Sequence, residues 1–414
     1  MPAMTEPTVP DTIRPATGEQ LLAAVRWAVA DEVALEVAAA GSKRGFGRPV
    51  AAGTRLDLSA IAGIELYEPE ELVLTLRPGT PIAEIETLLA ARQQCLAFEP
   101  PDLGPLLGGA AGSGTIGGAV ACNLGGPRRI KTGAARDHIL GFHAVSGRGE
   151  AFKSGGRVVK NVTGFDLSKL MAGSFGTLAL TTELTVRALP AAEQTRSVLV
   201  LGLGDEQAMA AMSAALGSSH EVSGAAHLPA GIAAGSAVDE VSKVGGAVTA
   251  LRIEGFAPSV VARTAGLRDV LAPFGALAEL PSEPSAAFWR EIRDVRYFAA
   301  PDDKRQVWRL SVPPMAGAVT AATIKAELGG EAFYDWGGGL IWLAMPPRPD
   351  AGHAIVRAAL PEGHATLIRA ETAIRRAVPV FQPQASALVE LARRVKQGLD
   401  PKGVLNPGRM VEGM

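Results

Sequence analysis

The residues best suited to chemistry are glycines set among small and basic side chains. GSGTIGGAVACNLGG, residues 112–126, holds Gly112, Gly114 and Gly117 in the G-x-G-x-x-G spacing that cradles a dinucleotide diphosphate. That fingerprint works when a strand delivers the glycine turn directly to a helix N-terminus. Here the preceding stretch, EPPDLGPLLGGAA, is broken by proline and glycine, so the required strand is missing. GSKRGFG, residues 41–47, offers another route to the same anion and follows an apolar run, VALEVAA (33–39). Successive amides in such a turn form an anion nest, and glycine lets the backbone approach phosphate. The same residues serve equally well as a solvated surface turn. GPRRIKTG then places Arg128, Arg129 and Lys131 directly after the long glycine segment, where cations either neutralise a diphosphate or face water. Two cysteines, Cys95 and Cys122, and six scattered histidines provide no zinc or iron–sulfur spacing.

Several elements must hold these loops. At 414 residues the chain exceeds what one core usually organises, so two domains are expected. Thr17 and Gln20 have capping-box spacing ahead of a helix over 17–30 whose Leu21, Leu22, Val25, Ala28 and Val29 share a face. ELVLTLRPG alternates as a strand ending at Pro78-Gly79, and Thr80 is expected to cap a helix with Pro81 at its first position. QCLAFEPPD reads as a short strand stopped by prolines. DHILGFHAVSGRGEAFK reads as a hairpin turning at Gly147-Arg148-Gly149, and Asp166 caps LSKLMAG. TLALTTELTVRALP has period two, with Leu178, Leu180, Leu184 and Val186 on one face.

Leu189-Pro190 with AAEQ reads as a linker, after which strand–helix–strand–strand–helix–strand occurs twice. That order predicts an extended antiparallel sheet built from two βαββαβ units, with helices on one side. PSAAFWREIRDVRYF joins the units, and residues 228–246, rich in Gly, Ala and Ser, are expected to form a mobile loop. The domain reading is a flexible leader (1–14), a first domain (15–190), a second α+β domain (191–380), and a C-terminal helix and tail (381–414).

Composition narrows the class. Apolar residues make up 47% and charged residues 20%, as in ordinary globular proteins, and the net charge of −2 gives no case for nucleic acid or an anionic membrane. No apolar run of spanning length occurs, and the N-terminus lacks signal-peptide character, so a cytoplasmic protein is expected.

GSKRGFG, RPGT, GTIGGAVACNLGGPRR, ARDHILG, KNVTGFDLSKLMAGSFG and the terminal DPKGVLNPGRM, taken in series, resemble the vanillyl-alcohol oxidase/p-cresol methylhydroxylase family. Within it they are most similar to the FAD-binding subunits of bacterial glycolate oxidase. The resemblance covers most of residues 15–190 and the last 15 or so. It implies an α+β fold with a two-lobed FAD-binding domain and a cap domain, the tail returning to the FAD domain. It assigns the cofactor's diphosphate to Gly41, Ser42, Lys43, Arg44 and Gly45. Thr115, Ile116, Gly117, Gly118 and Asn123 follow along the cofactor, with Arg128 close by. Gly176, Thr177 and Leu178 form a third contact, Asp137 and Ile139 lesser ones, and Asn406 and Arg409 either approach the site or only shape a turn. The first loop holds no histidine for a covalent flavin link, so the FAD is expected to be non-covalent.

The implied activity is oxidation of a small 2-hydroxy acid, glycolate to glyoxylate, with electrons passed on. That requires a cation for the carboxylate, a base for the hydroxyl proton and a hydride acceptor. Related metal-assisted dehydrogenases carry a histidine-rich cap segment; this chain has DWGGGLIWL at 335–343 instead. No catalytic base and no metal ligand is assigned. Trp336, Trp342 and Arg309 either line a pocket or belong to the core, and His138 and His143 read as ordinary satisfied histidines. The implied partners are a second flavoprotein subunit and an iron–sulfur subunit, with any attachment at the inner membrane made through them. A self-sufficient 2-hydroxy-acid dehydrogenase and a structural flavin-binding scaffold remain open as alternatives.

Overall fold

The computed structural model describes residues 11–157, 164–360 and 362–414. Residues 1–10 of the leader and 158–163 of the GRVVKNVTGFD run lie outside them. Thr17 caps the first helix as its spacing predicts: its hydroxyl accepts from the Gln20 N–H, and the Gln20 carboxamide accepts from the Ala16 N–H. Leu21, Val25 and Ala28 of that helix, Gly18–Ala30, are buried with Leu35, Leu56, Val145 and Leu180. They pack with a three-stranded parallel sheet ordered Thr12–Ile13, Thr54–Asp57, Leu35–Ala38. An antiparallel five-stranded sheet stands beside it, ordered Ile64–Glu68, Val73–Leu76, Ala179–Arg187, Ile139–Ser146, Ala151–Gly155.

The period-two strand is Ala179–Arg187, and it carries a bulge. His143 pairs with Glu183 but Ala144 with Thr181, which leaves Thr182 as the extra residue. Leu178, Leu184 and Val186 accordingly enter the core of the five-stranded sheet, while Leu180 joins the core under the first helix. Thr80 does not cap the next helix, which runs Ile82–Ala90 with Pro81 as its N-cap. Its hydroxyl donates to the Arg77 carbonyl at 2.7 Å and accepts from the Gly63 N–H at 2.9 Å, so a local turn takes the group that a cap would need. QCLAFEPPD contributes only the strand Gln94–Cys95, which pairs with Leu189–Pro190 and so anchors the expected linker.

The cap is one eight-stranded antiparallel sheet in the order Leu277–Leu280, Gln194–Leu201, Val248–Gly255, Gly224–Leu228, Glu331–Asp335, Leu340–Met345, Gln306–Ser311, His364–Arg369. The two βαββαβ units meet through a single pairing, His227 with Tyr334. Helices Asp205–Leu216, Ala257–Leu271, Gly317–Leu328 and His353–Ala358 cover one face and bury Met209, Met212, Leu267, Ile324 and Val356 there. The other face receives Phe288, Trp289 and Ile292 of helix Ser282–Arg293, together with Phe46, Leu103, Leu106, Ala119 and Leu124 from the N-terminal part.

Residues 228–246 are not the loose loop their composition suggests. They contain helices Ala230–Ala233 and Asp239–Ser242 and bury Ile232, Ala233, Val238 and Val241. The Ser236 hydroxyl and the Ala237 N–H donate to the Glu291 carboxylate at 2.7 and 2.8 Å. Apolar burial and a satisfied carboxylate here outweigh the entropy of ordering small residues. The tail packs against the N-terminal part. Leu35 N–H donates to Val404 O and Asn406 N–H to Leu35 O. Buried Lys396 donates to Asp400 at 2.6 Å, Thr177 O at 2.7 Å and Leu405 O at 3.0 Å.

Candidate cofactor cleft

Two adjoining cavities form one cleft, sharing Val37, Ala38, Ala39, Gly118, Ala121, Phe175 and Asn406. One limb is apolar, lined further by Leu58, Pro78, Gly117, Val120, Met171, Gly176 and Leu180. The other is basic, lined by Gly41, Ser42, Lys43, Arg44, Thr115, Cys122 and Arg409.

Glu36 also lines the basic limb, but its carboxylate is taken up by Arg44. The backbone N–H groups of Gly41, Ser42, Lys43 and Gly45 find no acceptor among the described residues, although Arg44 and Phe46 N–H close turns onto Gly41 and Lys43. Gly41 sits at φ +77°, a left-handed conformation that L side chains rarely adopt. Lys43 Nζ has one hydrogen bond, to Ser42 Oγ at 3.3 Å. Burial pushes the Lys43 ammonium below its ordinary pKa, with Cys122 and Asp102 opposing. Arg409 donates to Lys43 O at 2.8 Å and Arg48 O at 3.4 Å. Burial pushes it down as well. Among the described residues neither Lys43 nor Arg409 has a carboxylate within salt-bridge distance, whereas Arg44 is paired with Glu36 at 2.6 Å. Unused amides beside two carboxylate-free cations, half-buried Lys43 and buried Arg409, call for an anion. A diphosphate meets that demand, and the apolar limb suits an aromatic ring system, so the donor set fits FAD.

The N-terminus of helix Ile116–Ala121 contributes less than its glycines suggest. Ile116 N–H donates to Thr80 O, Gly117 N–H to Pro78 O, Gly118 N–H to Thr115 Oγ1 and Ala119 N–H to Thr115 O. The helix start therefore offers the cleft no unused donor. The two adjacent glycines also differ in role. A Cβ on Gly117 would lie 2.6 Å from Pro78 Cβ, so packing demands that glycine. The atoms nearest to a Cβ on Gly118 would be side-chain ones, Thr115 Oγ1 at 3.3 Å, Lys43 Nζ at 3.5 Å and Lys43 Cδ at 3.8 Å, so that glycine keeps the cleft open.

Of the residues that the sequence singles out, Gly41, Ser42, Lys43, Arg44, Thr115, Gly117, Gly118, Gly176, Asn406 and Arg409 come together around the cleft. The rest do not line it. Gly45 faces Leu107. Ile116, Ile139 and Leu178 belong to the core of the five-stranded sheet. Asn123 Oδ1 accepts from Arg136 N–H, the Asp137 carboxylate accepts from Ala134 N–H, and the Thr177 hydroxyl donates to Ser174 O. Arg128 is turned to Glu254, at 2.8 and 3.0 Å. Buried His138 faces Thr132 O, and exposed His143 lies near Glu183. Most lining residues that sequence reasoning missed, among them Val37–Ala39, Ala121, Phe175 and Thr181, are small or apolar, and Glu36 is the charged exception. Their one signal is position, immediately before or after a glycine turn.

Asn406 clips three segments of the cleft together. It sits at φ +44°, accepts from Val37 N–H at 2.8 Å and donates to Phe175 O at 2.8 Å. Asn406→Ala strands both backbone groups. We expect a loss of about 1–3 kcal/mol in unfolding free energy and roughly tenfold weaker cofactor retention. Denaturant titration and flavin dialysis check the two values, and unchanged values would mean that the clip is ornamental.

Residues 11–155 match the family model described as FAD binding domain. The chain is 34% identical over 394 residues to the glycolate oxidase subunit GlcE of Escherichia coli, covering 95% of this chain and 97% of that one. It is 37% identical over 179 residues to a D-2-hydroxyglutarate dehydrogenase of Xanthomonas citri pv. viticola, covering 42% of this chain and 35% of that one. In fold it matches the 4-ethylphenol oxidase of Gulosibacter chungangensis in an isoeugenol complex, with TM-score 0.74 and 15% identity over 98% of this chain and 91% of that one.

Proposed function

Because this chain belongs to the family of the glycolate oxidase subunit GlcE, FAD-dependent oxidoreductases acting on hydroxy acids, we propose that it is the FAD-carrying subunit of a multi-subunit glycolate dehydrogenase. The observation that carries this reading is the pairing of the acceptor-free amides of Gly41, Ser42 and Lys43 with the cations Lys43 and Arg409 in one cleft. In this reading Gly41, Ser42 and Lys43 hold the diphosphate through their amides, with Lys43 Nζ and Arg409 supplying charge. Gly118, Ala121, Phe175 and Gly176 border the ring systems. When bound, FAD supplies a two-electron acceptor for the hydride of an α-hydroxy carbon. Oxidation of glycolate to glyoxylate releases that hydride and the hydroxyl proton. The chain's two cysteines cannot ligate an iron–sulfur cluster, so an iron–sulfur subunit and a second flavoprotein subunit would carry the electrons onward. Among the described residues no helix is long and apolar enough to cross a membrane, so attachment to one would run through those partners.

The flavin is held without a covalent bond. Residues 41–47 contain no histidine, and burial raises the thiol of Cys122, the cysteine of the cleft, and so keeps it a poor nucleophile. Acid denaturation should therefore release all the yellow colour into the supernatant, and colour retained on the polypeptide contradicts a dissociable cofactor. The function itself is tested in the assembled complex. Glycolate-dependent reduction of an artificial acceptor should fall to background when this subunit is made unable to hold FAD. Full turnover with an FAD-free subunit would leave it only a scaffold.

A further inference from the structure

The loop 41–47 is gripped by the chain that leaves the last strand of the cap sheet, His364–Arg369. Helix Thr372–Ala377 follows that strand, and its buried Arg375 donates from Nη1 to Gly47 O at 2.7 Å. The other donors of this guanidinium go to Ala370 O at 3.1 Å and Thr372 Oγ1 at 3.4 Å. Arg48, the next residue after the loop, donates to Val378 O at 3.3 Å. Phe381 then reaches the same region with its ring. Its centroid lies 6.2 Å from that of Phe46 and 5.1 Å from that of Phe175, and Phe46 and Phe175 meet T-shaped at 5.0 Å. Phe46 belongs to the glycine loop and Phe175 precedes Gly176, so three rings tie together two segments that form the cleft.

Residues 372–381 are equally fixed to the cap. Val378 and Val380 are buried in the cluster beneath the cap helices. Leu367 N–H donates to Val380 O at 2.9 Å. Arg357 of helix His353–Ala358 donates to Phe381 O at 3.2 Å and also to Pro379 O. The segment therefore connects the edge of the cap sheet to the loop that carries the unused amides.

Two features tie this connection to the loop's task. Gly47 sits at φ +96°, and a Cβ there would lie 3.1 Å from Arg409 Nε. Its backbone is thus pressed against one guanidinium while its carbonyl accepts from another. Arg375, moreover, meets only carbonyl and hydroxyl oxygens. Among the described residues it has no carboxylate within salt-bridge distance, as with Lys43 and Arg409. Burial, and then Arg409, holds it below its ordinary pKa. A third carboxylate-free cation accordingly stands beside the loop, and a buried charge of this kind costs the fold unless an anion balances it. Arg375 lines neither limb of the cleft, so it acts on a ligand there through Gly47.

We propose that Arg375 and Phe381 are positioning residues for the cofactor. Carried by the segment that leaves the cap, they set the glycine loop and its placement against the segment of Phe175 and Gly176, so that FAD affinity depends on the docking of residues 372–381. The proposal rests on the reading of the cleft as the FAD site. By linkage, whatever this segment adds to FAD binding, bound FAD returns to the docking of the segment.

Hydrogen exchange of the full chain with and without FAD, together with FAD titration followed by flavin fluorescence, tests this. In wild type, FAD should slow exchange of the amides of residues 372–381, although none of them lines the cleft. Arg375→Met should weaken FAD roughly 10- to 100-fold, as loss of a charge-assisted hydrogen bond implies. Arg375→Lys, which can still donate to Gly47 O, should recover most of that loss. Phe381→Leu keeps an apolar side chain without the ring contacts and should weaken FAD roughly three- to tenfold. In both weakened variants, the rise in melting temperature given by a fixed FAD concentration should shrink. A purely structural role would lower the melting temperature with and without FAD alike and leave FAD affinity unchanged, which overturns the proposal. If Arg375→Met does not fold, Phe381→Leu and the exchange pattern of wild type decide. A chain that takes up no FAD fails the reading of the previous section. A chain that holds FAD with unaltered exchange in residues 372–381 fails this one alone.

Discussion

Gly118→Leu should yield a folded chain that no longer retains FAD, with affinity reduced by at least about 100-fold. Gly118 borders both limbs of the cleft, and the atoms nearest to a Cβ there are the ends of the Thr115 and Lys43 side chains. A leucine side chain would occupy the volume that the cofactor needs. It would not strain the backbone, since Gly118 lies inside helix Ile116–Ala121, where leucine is favoured over glycine by about 0.5–1 kcal/mol. Stability should therefore hold while flavin per chain falls to near zero, measured by absorbance after gel filtration. Gly117→Ala makes the opposite prediction from the adjacent position. Its methyl would overlap Pro78, so the variant should lose stability, by about 1–3 kcal/mol. If both variants behaved alike, the division of the two glycines between packing and ligand would be wrong.

Arg252→Met should destabilise the fold by about 3–5 kcal/mol, the usual consequence of breaking a buried ion pair from one side. Arg252 is 2% exposed and stacks on Trp289 at 4.7 Å. It grips Glu99 through two bonds of 2.9 and 3.0 Å and also bonds Ser223 O. Glu99 additionally accepts from Arg128 N–H, and Glu254 accepts from Arg128 and Ser223. Glu99 precedes the glycine segment while Arg252 and Glu254 lie on the cap sheet, so this cluster bolts the sheet to the cofactor-binding part. Methionine keeps the packing volume but takes from Glu99 its two-bond partner and leaves Arg128 alone, shared with Glu254, to balance it.

The pH dependence has a definite sign. Burial pushes Glu99 and Glu254 up, but Arg252 and Arg128 more than reverse this and hold both carboxyls below their ordinary range. A carboxyl depressed in the folded state stabilises the fold above its unfolded pKa, about 4.3, and loses that contribution as pH falls towards the folded value. Wild-type unfolding free energy should therefore decline below about pH 4. In Arg252→Met that decline should be shallower, because Glu99 keeps its burial and loses its main counter-charge, so its folded-state pKa rises and protonating it costs the fold less. Denaturant unfolding across pH 3–8 reads both effects, and superimposable pH profiles for the two proteins would contradict the role given to Arg252.

Glycine made part of the cleft legible in the sequence. Gly41 and Gly118 are there for a turn and for space, requirements that leave a mark in residue type. The terminal asparagine and arginine were legible through their motif, and the structure sets them against residues far away in sequence. The cap followed from alternation of strands and helices, although nothing in the pattern shows that the two units join at a single pair, His227 with Tyr334. The apolar limb was not legible, because Val37, Ala121 and Phe175 look like any core residues until a cavity appears beside them. Arg128 and Arg129 make the same point most clearly. They are chemically identical neighbours, and only contacts across more than a hundred residues show that one is neutralised by Glu254 while the other is not. Composition misread residues 228–246 for a similar reason, since the carboxylate that orders them, Glu291, lies on a distant helix.

The central claim is that the amides of Gly41, Ser42 and Lys43 and the cations Lys43 and Arg409 receive the diphosphate of FAD. A crystal structure of the FAD-loaded chain tests it most directly. The account predicts diphosphate oxygens within hydrogen-bond distance of those amides, with the ring systems bordered by Gly118 and Gly176. FAD bound elsewhere on the chain, or these amides left facing solvent with FAD in place, would contradict it.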